Sequence, residues 1–206
     1  TVSTSGLYKV TVNNNGCIRR DSMNLTVGGS TAISVTVSPN VNNICAGTSV
    51  TFTATPNTTG LSPGYQWFLN GNPVGTNSNT YTNNSLNNND QIRVVMSSSL
   101  SCITGSPATS NTIIMIVKPN PTVIVNSPSI CSGQTANLLA SGATSYTWTN
   151  GLAPVANPTT AALTITTTYT VTGTTAGCTG TAVATVAVNP NLVLSVNSPT
   201  TCSGKT

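Results

Sequence analysis

Two aspartates, Asp21 and Asp90, and six cysteines are the residues with the widest chemistry in this chain of 206; it has no His and no Glu. General acid-base catalysis needs a group that titrates near neutrality or a carboxylate tuned by a neighbour, and two aspartates far apart in sequence do not offer a pair. A Ser or Thr hydroxyl is a nucleophile only beside a base. The chain is therefore expected not to be an enzyme. Calcium takes several carboxylate oxygens per site, so neither a metal site nor a cofactor is expected. Asp90 is read instead as the cap of a turn, accepting backbone N–H bonds. Cysteines without His or a Cys-x-x-Cys pair point to disulfides in an oxidising compartment rather than to zinc.

The rest of the composition narrows the partners. Only 4% of residues are charged, the formal charge is +4, and Ser, Thr and Asn dominate. Nucleic acid is excluded by the scatter of the basic residues, since displacing counterions takes clustered Lys and Arg. No run of about 18 apolar residues is present, so no membrane-spanning helix is expected. No signal peptide opens the chain, and residue 1 is read as lying within a module.

The elements that hold these residues come in copies. Ile44-Cys45-Ala46-Gly47-Thr48 returns as Ile130-Cys131-Ser132-Gly133-Gln134 and again as Thr201-Cys202-Ser203-Gly204-Lys205. A chain that repeats itself in this way reads as an array of similar modules. Residues 1–28 read as the last two strands of a truncated module, with Asn14-Asn15-Gly16 as the hairpin turn. Residues 32–118 make one complete module: strand A at 33–37, B at 50–54, C at 65–69 before Asn70-Gly71, E and F at 80–86 and 91–96, and G at 113–117. A second complete module covers 122–188, and 191–206 open a further one. Lys118-Pro119-Asn120-Pro121 and Asn189-Pro190-Asn191 are short stiff linkers, because Pro fixes φ. Short alternating strands, turn chemistry between them and one Trp on the third strand, Trp67 or Trp148, predict an all-β fold: tandem immunoglobulin-like sandwiches set end to end.

Cys-x-Gly before strand B, Tyr65-Gln66-Trp67 and Tyr146-Thr147-Trp148 on C, Tyr8 and Tyr169 opening F, and Gly-Cys after F together form a pattern. It resembles the immunoglobulin-like and PKD-like repeats of giant Bacteroidota cell-surface adhesins, including the gliding-motility type. The PKD signature Trp-Asp-Phe-Gly-Asp-Gly is missing after both tryptophans, so the resemblance is to the immunoglobulin-like end of that group. It implies type IX secretion, an extracellular or cell-surface home, and a structural or adhesive role as a stalk or filament. The resemblance implies nothing about a ligand; the partners expected are neighbouring modules of the same chain, with surface glycans or other surfaces as candidates. Asp21-Ser22-Met23 matches the site at which such organisms add O-glycans, which makes Ser22 a candidate acceptor. Two rivals stand beside this reading: a spacer or carbohydrate-binding module of a secreted polysaccharide-degrading enzyme, and a self-assembling filament subunit.

Trp67 and Trp148 could be exposed sugar platforms, yet an isolated Trp on strand C is the core residue of such a sandwich. Both are assigned to the core, with Tyr8 and Tyr169 as tyrosine corners. Lys9, Lys118 and Lys205 raise the question of isopeptide crosslinks, which require a buried carboxylic acid beside the pair.

The cysteines allow two patterns. Pairing within a module joins Cys45 to Cys102 and Cys131 to Cys178. In an immunoglobulin-like topology, however, the A-to-B and F-to-G turns lie at opposite ends of strand G, roughly 20 Å or more apart. A disulfide tolerates Cα atoms no more than about 7 Å apart. When modules stack head to tail, the A-to-B end of one meets the F-to-G end of the next. The expectation is therefore a bond between modules, Cys45 to Cys178, with Cys17, Cys102, Cys131 and Cys202 pairing beyond this stretch.

Overall fold

A computed structural model describes residues 3–60 and 62–196. Cys202, Lys205 and the start of strand B in the last copy lie outside the described residues. The chain divides into two compact units, Thr1–Val117 and Lys118–Thr206.

The first unit opens with a hairpin of β1 (Gly6–Asn14) and β2 (Cys17–Leu25). Asn15 and Gly16, at φ 50° and 89°, form the two-residue turn. Positive φ at both central residues matches the twist of the flanking strands, and Asn-Gly adopts it at little cost. Then come β3 (Thr31–Ala32), β4 (Val35–Pro39), β5 (Ile44–Cys45), β6 (Val50–Pro56), β7 (Gly64–Leu69), β8 (Asn72–Val74), β9 (Thr80–Asn83), β10 (Gln91–Ser97), β11 (Ile103–Thr104), β12 (Ala108–Thr109), β13 (Ile113–Ile114) and β14 (Val117–Lys118). One sheet runs β4-β6-β9, and the other β12-β10-β7-β8 with β13 also on β10. In immunoglobulin terms these are A-B-E against C′-C-F-G. Alternation along each strand sends one set of side chains inward: Val50, Phe52 and Ala54 from β6, Ile92, Val94 and Met96 from β10, and Trp67 from β7 are all buried in one cluster.

Strand G, expected as one run over 113–117, is broken at Met115. Asn42 causes the break. Its Nδ2 donates to Ile114 O at 3.0 Å and its Oδ1 accepts from Ile116 N at 2.9 Å, so that segment bonds to a loop side chain. The strand leaves β10 after β13 and resumes as β14 beside β5, where Ile44 N donates to Ile116 O. Met115 between them is fully buried.

The second unit contains β15 (Ile124–Val125), β16 (Ser129–Cys131), β17 (Ala140–Ser141), β18 (Ser145–Trp148), β19 (Thr167–Thr175) and β20 (Cys178–Asn189). Its main sheet is β16-β20-β19-β18, with β16 parallel to β20, and β15 pairs with β17. Opposite it, the stretches at 134–140 and 156–163 join by single bonds, such as Leu138 N to Pro158 O and Thr160 N to Ala136 O. Pro158 lacks the N–H that would return the bond from Leu138 in a regular ladder there. Two core clusters result, one around Leu138 and Tyr169 and one around Tyr146 and Val171, and Trp148 packs against both.

Candidate functional site at the cysteine-bearing turns

Each module carries a cysteine before strand B. In the first unit Thr48 N donates to Cys45 O at 3.1 Å, with Gly47 at φ 86°; in the second Gln134 N donates to Cys131 O at 3.1 Å, with Gly133 at φ 84°. The two are one turn, built twice because Cys-x-Gly places a residue able to take positive φ third. The cysteine after strand F is more varied. Cys178 starts β20 behind an Ala176-Gly177 turn at φ 51° and 85° and is 1% exposed, whereas Cys17 follows the equivalent Asn15-Gly16 turn and is exposed. Cys102 lies in a longer connection between β10 and β12, itself at φ 60°.

Cys45 and Cys178 are each disulfide-bonded. Cys17, Cys102 and Cys131 are free and exposed. Pairing within modules, Cys45 to Cys102 and Cys131 to Cys178, is therefore not formed: each of those pairs contains one free thiol.

The aromatic residues divide by how complete their cover is. Trp67 is fully buried, its Nε1 donates to Ser78 O at 2.8 Å, and its ring lies 5.8 Å from that of Tyr81, which in turn stacks on Phe52. Trp148 is partly buried, with Nε1 donating to Val155 O at 2.9 Å. In both modules the indole N–H is satisfied by the connector that follows strand C. Tyr169 is buried. Tyr8 departs from its core assignment: it is only partly buried and belongs to no core cluster among the described residues, because its hairpin has no second sheet over it. Its hydroxyl donates to Thr4 O at 2.7 Å, the backward bond of a tyrosine corner.

Asp90 is buried at the corner between β9 and β10. Its Oδ2 accepts from Asn87 N at 2.8 Å and its Oδ1 from Asn70 Nδ2 at 2.7 Å. Asn70 also accepts from Gln91 N at 2.9 Å, so one carboxylate ties the turn after β7 to the start of β10. Asp21 is exposed and accepts from the N–H of Ser22, itself exposed on β2. Lys118 Nζ donates to Ala176 O at 3.3 Å, while Lys9 is exposed on β1. Among the described residues no group of three or more His, Cys, Asp or Glu could hold a metal. Among the described residues no helix is long and apolar enough to cross a membrane.

Two features escaped sequence reasoning. Arg93 lies over the Phe68 ring at 4.3 Å, a cross-strand pair whose only signal is the β10–β7 register. The outward faces carry hydroxyl ladders: Thr168 faces Thr185, Thr172 faces Thr181 and Thr174 faces Thr179, while Thr51 and Thr82 bond at 2.9 Å. Such cross-strand pairs stabilise a sheet without charge.

No protein-family model matches the sequence, and no curated protein matches it. Solved structures with similar chains include the three N-terminal domains of the bacteriophage RB49 highly immunogenic outer capsid protein (TM-score 0.38, 19% identity, covering 76% of this chain and 59% of that one). Another is the N-terminal eight Ig domains of the Down syndrome cell adhesion molecule (TM-score 0.43, 15% identity, 89% of this chain and 27% of that one). A third is extracellular domains 3–5 of Drosophila OTK (TM-score 0.33, 12% identity, 79% and 68%). The chain thus spans 59% and 27% of the first two. A-B-E packed on C′-C-F-G, with a Trp from strand C between the sheets, makes this an all-β protein of immunoglobulin-like fold.

Proposed function

We propose that the chain is a non-enzymatic structural and adhesive stretch of a long extracellular surface protein, with immunoglobulin-like modules at 32–118 and 122–188 joined end to end. One observation carries the proposal: Cys45 and Cys178 are both disulfide-bonded, while Cys102 and Cys131, the partners that pairing within modules would need, are free. A bond between Cys45 and Cys178 crosses the Lys118-Pro119-Asn120-Pro121 linker and ties the two modules covalently. Such bonds persist outside the reducing cytosol, which supports an extracellular setting. Free thiols at Cys17, Cys102 and Cys131 are the corresponding half-staples for further modules. The resemblance to Bacteroidota adhesin repeats supports type IX export and makes exposed Ser22 a candidate O-glycan acceptor.

Peptide mapping without reduction tests the proposal. The expected result is one crosslinked peptide pair holding Cys45 and Cys178, with Cys17, Cys102 and Cys131 taking up alkylating reagent. A Cys45–Cys102 crosslink sinks it. Adhesion is read separately, by binding of the oxidised chain to glycan arrays.

A further inference from the structure

We infer that the β1–β2 hairpin is one half of a sandwich whose open apolar face is covered by the A-B-E sheet of a further repeat in the same polypeptide. The inference rests on the tandem-repeat reading above. In the hairpin Tyr8 faces Met23, Val10 faces Asp21 and Asn14 faces Cys17. In the second unit Tyr169 faces Ala184, Val171 faces Ala182 and Thr175 faces Cys178. The two strand pairs share one register, one two-residue turn with both central residues at positive φ, and one cysteine position after it.

Residues opposite one another, and every second residue along a strand, share a face. In the second unit that face is the inside: Tyr169, Val171, Ala184 and Val186 are at most 4% exposed, and Ala136 and Leu138 share a cluster with Tyr169, Ala184 and Val186. The same face of the hairpin holds Tyr8, Val10, Val12, Met23 and Leu25, yet Val10, Val12 and Met23 are 58%, 58% and 63% exposed. A two-stranded hairpin is marginal in water without a layer on its apolar face. Matched strands require the layer that their counterparts have, which is why the occupant is an A-B-E sheet and not an unrelated partner.

Differences between the two faces describe that sheet further. Met23 stands where the second unit has Ala184, and Val12 where it has Gly173, so the covering strands must leave more room there. Arg19 and Asp21 replace Gly180 and Ala182, so the cover must supply polar partners at that end. Lys9 and Ser22 face one another on the opposite, outer face.

The test joins residues 122–166, strands A to E of the second unit, directly to Gly6 of this chain, both as it stands and with Met23→Ala to restore the volume that those strands normally cover. Hydrogen exchange is followed across β1 and β2, and sedimentation gives the oligomeric state. In the unextended chain the β1–β2 amides should exchange at least about 100-fold faster than those of β19–β20, and the extension should slow them by a similar factor. Val10→Asp on the covered face should abolish the gain, whereas Lys9→Asp on the outer face should leave it. The inference is overturned if β1–β2 is already as protected as β19–β20 without the extension, whether as a monomer or as a dimer covered by a second copy. It is also overturned if neither extended chain gains protection. The Cys45–Cys178 peptide map does not involve the hairpin, so failure here leaves the proposed function standing.

Discussion

Replacing Trp67 by Ala probes the centre of the first sandwich. The ring is 0% exposed, bridges β7 to Tyr81 on β9, and gives its only N–H to Ser78 O at 2.8 Å. A fully buried indole removes up to about 250 Å² from water; replacing it with a methyl group returns roughly 180 Å², worth about 4.5 kcal/mol at 25 cal/mol per Å². Leaving Ser78 O without its donor costs about 1 kcal/mol more, and partial collapse of the void recovers some of the sum, so about 3 to 5 kcal/mol is expected. Trp148 is only partly buried, and Trp148→Ala should cost about 2 to 3 kcal/mol. Trp67→Phe, which keeps most of the ring but loses the N–H, should cost about 1 to 2 kcal/mol. Urea unfolding of the full chain, with hydrogen exchange read separately in each unit, assigns every loss to its own module. A Trp67→Ala loss below about 2 kcal/mol, or one no larger than that of Trp148→Ala, refutes the packing argument.

Three further outcomes follow from other parts of the molecule. If Cys45 and Cys178 are joined, about 130 residues are shielded from force, so reduction should add about 430 to 470 Å to the extension of a single pulled chain. Reduction should also lower stability by up to about 5 kcal/mol, since the closed loop is long; unchanged extension in atomic-force traces counts against the bond. Asp90→Ala removes the acceptor for Asn87 N–H and Asn70 Nδ2 at a buried corner and should cost about 2 to 3 kcal/mol in the first unit alone, read as the shift of its thermal transition. Gly142 sits at φ 93°, and a methyl group there would run into the Thr122 carbonyl, so Gly142→Ala should destabilise the second unit by about 3 kcal/mol; calorimetry that shows a neutral change would contradict that approach.

Whatever depends on neighbours along the chain was readable from the residues alone. Alternation placed Val50, Phe52 and Ala54 inward, as it did Ile92, Val94 and Met96, because side chains on a strand point to opposite faces in turn. Asn15-Gly16 and Asn70-Gly71 announced their turns because Asn and Gly take positive φ at low cost. Cys-x-Gly marked the A-to-B turn in both described copies, at Cys45 and Cys131, and Asp90 was legible as a corner cap.

What depends on distant partners emerges only when the folded chain brings them together. Pro158 interrupts the ladder of the layer opposite β18, where the Trp148 ring is only partly covered, while the equivalent ring at Trp67 meets a regular β9. Asn42 breaks strand G at Met115 through bonds to Ile114 and Ile116, 72 and 74 residues away, which no local pattern foretells. Tyr8 carries the same motif as Tyr169 but lacks the layer that would bury it. The six cysteines look alike in sequence; which of them are oxidised follows from how close two sulfurs are brought in space, and a disulfide forms only within about 7 Å between Cα atoms.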